Sequence, residues 1–130
     1  MNFNASDGAN VPISYKLDAV REIVTTIMEG AVEDHEVLAF ARALGSDDKL
    51  KASFVGLVYA TPEQNNLTAN GVRQAAQFLA NVSPVKRLAI VAPSDAMFGF
   101  ARMYEIFGGE AGFPIQAFRD EASAMAWLGV

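Results

Sequence analysis

The sequence predicts an α/β domain that combines four helices with a mostly parallel five-stranded sheet whose first strand is antiparallel. Two observations favour this class. Residues 54–60 and 88–92 are almost entirely apolar, as expected of strands buried on both faces of a parallel sheet. Each of the last three predicted strands also follows a segment with helical spacing of apolar residues. The 130 residues suit one domain, which we expect at residues 13–130 after a disordered leader over residues 1–12.

The first two strands are expected at residues 13–17 and 22–28, where apolar residues alternate with polar ones or β-branched residues cluster. The short turn between them makes the pair an antiparallel hairpin. The first helix follows, since Glu33 and Asp34 place negative charge at its start and Gly45 provides a C-cap. Its predicted inner face contains Val37, Phe40, Ala41 and Leu44.

The second and third helices each follow a buried strand. Thr68 is the expected N-cap of the second helix, whose predicted inner face contains Val72, Ala75, Ala76 and Leu79. The third helix is predicted to begin at Asp95 and to extend to about Phe107. In this prediction it is ended by Gly108, Gly109 and Gly112.

One further strand and one helix complete the predicted domain. Residues 115–119 alternate in the manner of an edge strand, and Asp120 caps the last helix. The inward residues of this helix are predicted to be Ala122, Met125, Ala126 and Leu128. Because a helix precedes each of the last three strands, these strands are expected to pair in parallel through right-handed crossovers.

Composition excludes several classes of function. The chain contains no cysteine, which excludes disulfides, thiolate metal sites and thiol catalysis. Its ten Lys and Arg residues are dispersed and its net charge is −5, whereas a nucleic-acid groove requires clustered positive charge. No stretch approaches the roughly 18 consecutive apolar residues of a membrane span, and residues 1–8 lack the pattern of a signal peptide. We therefore expect a cytoplasmic protein.

The predicted third helix carries more apolar residues than one buried stripe needs. Phe98 and Ile106 fall on the side opposite its main apolar face, and three explanations are open. In the first, a neighbouring helix of the same domain covers them. The second is a homodimer interface formed by Phe98, Arg102, Glu105 and Ile106. The third is a hydrophobic ligand slot lined by Met97, Phe98 and Tyr104.

The order of elements and several segments of the sequence resemble a known group of proteins. The order β-β-α-β-α-β-α-β-α and residues 67–72 resemble the SpoIIAA-like fold, which bacterial anti-sigma-factor antagonists and STAS domains share. Residues 89–103 and 118–128 resemble the uncharacterised bacterial branch of this group. The resemblance covers roughly residues 12–129. It implies a protein-binding or regulatory role.

The resemblance also implies where a regulatory phosphosite would lie. Antagonists of this group carry an Asp-Ser-Ser-Gly-like stretch at the start of the helix after the third strand, and a serine there is phosphorylated. When this chain is aligned on Gly71, the corresponding residues are Thr68, Ala69 and Asn70. No serine is present, so the phosphosite is not carried over, and Thr68 is expected to be an ordinary N-cap.

No set of residues in the sequence suggests catalysis or metal binding. His35 is the only histidine, and its neighbours Asp34 and Glu36 point in different directions on a helix. No serine lies in a Gly-x-Ser-x-Gly turn. The glycines at 108–112 follow a helix, whereas a dinucleotide-binding loop follows a strand. The sequence therefore predicts no catalytic residue, no metal and no cofactor.

A candidate cleft for a small ligand or an anion lies at the carboxyl ends of the predicted parallel strands. Free N–H groups at two helix starts favour an anion there, whereas the carboxylate of Asp95 opposes one. The alternative, which we favour, is that these polar groups cap helices and solvate loops. The residues of this predicted cleft are Tyr59, Thr61, Thr68, Ser94 and Asp95.

These observations lead to three hypotheses about function. The first is a non-enzymatic protein-binding or regulatory module that forms a homodimer through the third helix. The second is a carrier of a small apolar or amphipathic ligand. The third is an enzyme of unidentified type that uses a carboxylate such as Asp95.

Overall fold

A computed structural model describes residues 2–4, 13–51, 53–61, 66–82 and 85–130. Within these residues one six-stranded sheet follows the order of the chain, so each strand lies beside the strand before it. The strands are β1 (Asn2–Asn4), β2 (Ile13–Asp18), β3 (Ile23–Met28), β4 (Val55–Ala60), β5 (Leu88–Val91) and β6 (Ile115–Phe118). The helices are α1 (Asp34–Gly45), α2 (Ala69–Val82), α3 (Asp95–Glu110) and α4 (Glu121–Leu128).

The strand pairing confirms the predicted fold class and adds one strand. β2 and β3 form the predicted antiparallel hairpin, and β3 to β6 pair in parallel. β1 is the additional strand, antiparallel to β2, and it lies in the segment that the sequence analysis assigned to a disordered leader. Three residues are too few to show an alternating pattern, so only the backbone pairing with β2 reveals this strand. The rest of the predicted leader, residues 1 and 5–12, lies outside the described residues.

The direction of the crossovers decides which face of the sheet each helix covers. Each of α1, α2 and α3 connects one strand to the next, and each new strand is added at the same edge of the sheet. Right-handed connections therefore place all three helices on one face of the sheet. Their apolar residues form the main core with that face of the sheet. α4 packs on the opposite face, over β4, β5 and β6. One face is therefore covered by three helices and the other only in part by α4.

The inner faces of the first two helices are those that the apolar spacing predicted. The buried residues of α1 are Val37, Phe40, Ala41 and Leu44, and those of α2 are Val72, Ala75, Ala76 and Leu79. The two-sided covering also explains the apolar run in β4. Val58 faces the three helices, whereas Leu57 faces α4.

α3 is about one turn longer than predicted. The prediction ended it near Phe107 because glycines follow, but the helix continues to Glu110, and Gly112 at φ +81° lies just beyond it. Gly108 lies inside the helix. Glycine is needed at this position because a Cβ would lie 2.6 Å from the Ile115 side chain. Gly108 therefore permits α3 to pack closely on β6 and does not end the helix.

The inner face of α4 also differs from the prediction. Ala124 and Leu128 are buried and Met125 is half-buried, whereas Ala122 and Ala126 are exposed. Small and apolar residues occur on every side of this short helix, so their spacing does not identify the buried face.

Asp34, in the first turn of α1, connects α1 to the start of α2. Its carboxylate accepts a hydrogen bond from the Thr68 backbone N–H at 2.9 Å and another from the Thr68 hydroxyl at 2.6 Å. The same hydroxyl accepts a bond from the Gly71 N–H at 3.1 Å, which makes Thr68 the N-cap, as predicted. A Cβ on Gly71 would lie 2.1 Å from Asp34 Cγ, so this connection requires glycine at position 71.

We expect Gly71→Ala to lower the free energy of unfolding by about 1–2 kcal/mol, because the new Cβ displaces Asp34 and breaks the helix cap. Gly99→Ala is the matched control, since no atom lies within 4 Å of a Cβ at that helical position. It should raise the free energy of unfolding by about 0.5–1 kcal/mol. Urea unfolding measures both values, and a change of the same sign in the two variants would contradict this account of Gly71.

Candidate functional site

A cavity of about 50 Å³ lies between the sheet and the layer formed by α1, α2 and α3. Its lining is apolar apart from Thr26 and Tyr104, and none of the lining residues carries a charge. The lining residues are Ile13, Thr26, Met28, Val37, Phe40, Ala41, Val58, Ala60, Leu67, Leu79, Leu88, Ile90, Met97, Phe100, Ala101 and Tyr104.

Small side chains from three different elements help to leave this space open. Ala41 on α1, Ala60 on β4 and Ala101 on α3 all line the cavity, and all three are buried. Protein interiors rarely contain voids larger than a water molecule, and one water needs only about 10–15 Å³ measured in this way. The cavity therefore has room for a molecule of several non-hydrogen atoms.

The Tyr104 hydroxyl is a polar group in this apolar environment. Tyr104 lines the cavity, and its hydroxyl oxygen is buried although the residue as a whole is half-buried. Among the described residues, this oxygen is a buried side-chain atom without a hydrogen-bond partner. Burial raises the pKa of Tyr104 above its ordinary value of 10.0, and the negative charge of Asp34 raises it further. The hydroxyl is thus a neutral donor at physiological pH.

The predicted hydrophobic slot corresponds to the cavity in part. Met97 and Tyr104 line the cavity as predicted, whereas Phe98 does not. The Phe98 ring is half-buried against the main core, and the Arg119 guanidinium lies 4.2 Å from its centre. Phe98 is therefore partly covered by its own chain, by a residue that lies between β6 and α4 and not by the neighbouring helix of the first explanation.

The residues of the predicted anion cleft each contact a different part of the structure. Ser94 accepts a hydrogen bond from the Met97 N–H at 3.2 Å and caps α3, as Thr68 caps α2. Asp95 forms an ion pair with Arg119 at 2.8 Å. Thr61 donates a hydrogen bond to the Met28 carbonyl at 2.9 Å. These contacts hold strands and helix starts in place.

Tyr59, the remaining residue of the predicted cleft, faces away from the three helices. Its hydroxyl donates a hydrogen bond to Glu121 of α4. Burial, together with this bond and the charge of Glu121, raises the pKa of Tyr59 from 10.0 to about 12. Tyr59 therefore connects β4 to α4 and does not line the cavity.

The predicted interface residues on the outer side of α3 fall into two groups. Glu105 accepts hydrogen bonds from Arg102 at 2.8 Å and from the Ala117 backbone N–H at 2.9 Å, so this carboxylate joins α3 to β6. Ile106, by contrast, is 55% exposed. Only Ile106 among the predicted apolar interface residues remains available for contact with another molecule.

The described parts of the chain contain few other features that could form a site. No three His, Asp or Glu side chains there are grouped to hold a metal ion, and no helix there has the length and apolarity to cross a bilayer. A second depression lies over β2 and β3, on the part of the sheet that α4 leaves uncovered, and it is lined by mixed polar, charged and apolar residues. It lacks the enclosure of the cavity beneath α3.

The fold can be compared with solved structures. The chain is similar to the crystal structure of an uncharacterised protein of the DUF3478 family from Shewanella loihica, which has a SpoIIAA-like fold. The TM-score is 0.61 over 95% of this chain and 99% of that chain, at 16% sequence identity. The chain has a SpoIIAA-like fold. No protein-family profile and no curated protein sequence matches the chain.

The SpoIIAA-like fold fits the resemblance that the sequence suggested, and it places the cavity between the sheet and its three-helix face. At 16% identity the similarity concerns the fold alone. The function must therefore be argued from the residues of this chain.

All three tyrosines are expected to resist ionisation in the folded protein. Burial is the main cause for each; hydrogen bonds to Asp47 and Glu121 add to it for Tyr15 and Tyr59, and the charge of Asp34 adds to it for Tyr104. The folded-state pKa values of the tyrosines exceed the ordinary value of 10.0. The contribution of the neutral tyrosines to the free energy of unfolding is therefore complete below pH 10 and is lost as pH rises toward 12.

Tyrosinate absorbance measured together with circular dichroism tests this expectation. Ionisation should coincide with unfolding above pH 10. A tyrosine that ionises near 10.0 while the protein remains folded would contradict the described environments.

Proposed function

We propose that the protein is a non-enzymatic binding module that carries a small, mainly apolar ligand in the cavity beneath α3. The observation that supports this proposal is the interior cavity of about 50 Å³, bounded by apolar side chains from three helices and the sheet. An apolar molecule gains dispersion contacts and leaves water on entering such a space.

The lining favours an organic ligand over ordered water. A buried water molecule usually makes two to four hydrogen bonds. Of the lining residues, only Thr26 and Tyr104 carry polar side-chain groups. A ligand composed mainly of carbon therefore matches the lining better than a cluster of waters does.

A regulatory use of this binding is part of the proposal. The sequence resembles anti-sigma-factor antagonists and STAS domains, which act by binding other proteins. We propose that occupancy of the cavity controls such a contact in the cytoplasm. α3 is a suitable element for this coupling because Met97, Phe100, Ala101 and Tyr104 of this one helix line the cavity.

Filling the cavity should abolish ligand binding without unfolding the protein. We expect Ala101→Leu to reduce the affinity for the hydrocarbon probe 2-methylbut-1-ene more than tenfold, because the larger side chain occupies the space of the ligand. The free energy of unfolding should stay constant or rise by about 0.5–2 kcal/mol, as is common when a cavity is filled. Methyl NMR shifts of Met28 and Met97, which line the cavity, measure the binding.

Ala96→Leu is the matched control for this experiment, because Ala96 is an exposed residue of the same helix. This variant should bind the probe as the wild type does. Ala41→Leu, which fills the cavity from α1, provides an independent second variant. If the wild type does not bind the probe, or if Ala96→Leu and Ala101→Leu behave alike, the proposed function is wrong.

A second candidate function is protein binding through the outer side of α3, in the form of the homodimer that the sequence analysis predicted. Ile106, 55% exposed, lies on the same helical side as Gly99 and Gly109, whose Cβ positions face open space. An exposed glycine within a helix costs roughly 0.5–1 kcal/mol relative to alanine. Small residues beside Ile106 would allow another helix to approach closely.

Ile106→Asp should convert a dimer to a monomer at micromolar concentration, because the change places a charge in the centre of the contact. Val20→Asp is the control, since Val20 is 95% exposed. It lies in the turn between β2 and β3 and does not belong to α3. Sedimentation velocity distinguishes the two states. If the wild type is itself a monomer, or if both variants dissociate equally, the homodimer through α3 is excluded.

A further inference from the structure

We infer that the cavity beneath α3 selects an unsaturated hydrocarbon, a compact molecule with carbon–carbon double bonds and no hydrogen-bonding atom. This inference rests on the proposed function, because it names the chemical class of the ligand in the same cavity. It goes further because it separates this class from saturated hydrocarbons and from small polar molecules of equal size.

The surface of the cavity offers a ligand almost no polar contact. Thr26 and Tyr104 are the described lining residues with polar side-chain groups, yet almost none of the cavity surface is polar. The Tyr104 hydroxyl oxygen is buried within the protein and is not presented to the cavity. A ligand carbonyl, hydroxyl or amine would therefore lose its hydrogen bonds with water and replace none of them. An ionised ligand would also lack a counter-charge, since none of the lining residues is charged.

Thioether and aromatic groups form a large part of this lining. Met97, Phe100 and Tyr104 of α3 contribute one thioether and two rings. Phe40 of α1 adds a third ring, and Met28 of β3 adds a second thioether. The cavity is therefore lined by polarisable groups on its helical side and by one such group from the sheet.

These groups interact differently with saturated and unsaturated ligands. Thioether sulfur makes favourable contacts with π-systems, and aromatic rings prefer contacts in which an edge meets a π-face. A double bond presents such a face, whereas a saturated chain presents only C–H groups. The Phe40 ring is already held in one orientation by an edge contact with Tyr15, at 5.9 Å between ring centres and 72° between planes. This ring needs no ordering when a ligand arrives.

The small size of the cavity favours the same class. Its volume is about 50 Å³ in the conformation described here. An unsaturated molecule is flatter and carries fewer hydrogen atoms than a saturated molecule with the same carbon skeleton, so it needs less space. Overfilling a packed interior forces side chains out of their preferred rotamers. Space and polarisable contacts therefore both favour double bonds.

Three hydrocarbons with one carbon skeleton separate unsaturation from size. The probes 2-methylbutane, 2-methylbut-1-ene and 2-methylbuta-1,3-diene have no, one and two double bonds. Butan-2-one has the shape of 2-methylbut-1-ene but carries a carbonyl oxygen. Each dissociation constant is measured through the methyl NMR shift of Met28, which lines the cavity. The value is then compared with the partition of the same probe between water and hexane, which corrects for the ease of leaving water.

Met97→Leu tests the contribution of the sulfur, because this change removes the thioether and nearly conserves the volume. We expect the wild type to favour the diene over 2-methylbutane about twofold to tenfold after the correction for partition. Met97→Leu should lose most of this preference. Met103→Leu is the matched control and should keep it, because Met103 belongs to the same helix and does not line the cavity.

Phe100→Leu supplies an independent test, because it removes one aromatic ring from the lining. It should also reduce the preference for the diene over 2-methylbutane. The ratio of the two dissociation constants is informative even if the larger space changes both affinities. Phe107→Leu is the control, since Phe107 lies on α3 outside the lining. Circular dichroism verifies that each variant is folded.

The polar probe tests the exclusion of hydrogen-bonding ligands. Butan-2-one should bind the wild type at least about tenfold more weakly than 2-methylbut-1-ene, because nothing in the lining replaces the bonds between its carbonyl and water. If butan-2-one binds as tightly as this hydrocarbon, the inference is wrong. It is equally wrong if the wild type shows no preference for the diene, or if Met97→Leu and Met103→Leu have the same effect.

These outcomes distinguish the inference from the proposed function on which it rests. If the hydrocarbons bind the wild type and Ala101→Leu excludes them, the cavity is a binding site whatever the preference among them. If they bind without the expected preference, only the assignment of the ligand class fails. If no hydrocarbon binds the wild type, both proposals fail.

Discussion

The right-handed crossover is the constraint on which the rest of this structure depends. Because every parallel strand is added on the same side of the sheet, three crossover helices must share one face. Among the described helices, only α4, which follows the last strand, packs on the other face. The chain therefore places most of its apolar residues in one thick layer between sheet and helices, and the cavity lies in that layer.

The same constraint explains why the carboxyl ends of the strands offer no obvious crevice. In open α/β sheets, ligands bind where neighbouring connections leave toward opposite faces. Here the connections after β3, β4 and β5 all leave toward one face. The polar residues at that edge then cap and join elements, as Asp34 and Thr68 do for α1 and α2. Ligand binding is better supported inside the three-helix layer than at its rim.

Sequence reasoning predicted elements well where one face of an element is buried, and poorly where the pattern is short or uniform. The inner faces of α1 and α2 were recovered because their polar residues lie on one side. β1 and the buried face of α4 were missed because neither a three-residue strand nor an eight-residue helix with apolar residues on every side shows a clear period. Gly108 was misinterpreted because its reason, the approach of Ile115, joins distant parts of the chain.

The candidate site could be predicted only in part for the same reason. The excess of apolar residues on α3 suggested a slot with Met97, Phe98 and Tyr104, of which Met97 and Tyr104 line the cavity and Phe98 does not. Ala41, Ala60 and Ala101 resemble ordinary core residues in the sequence, because a cavity depends on which small residues face each other across elements. That the Tyr104 hydroxyl has no hydrogen-bond partner among the described residues is a property of its surroundings, and no local motif encodes it.

The bond between Glu105 and the Ala117 N–H has a consequence for solubility. β6 is the last strand of the sheet, and free N–H groups along such an edge can recruit a strand of another molecule and start aggregation. The Glu105 carboxylate occupies one of these donors and places negative charge at the edge, in a chain with a net charge of −5. This carboxylate thereby opposes edge-to-edge pairing with another molecule at this point of β6.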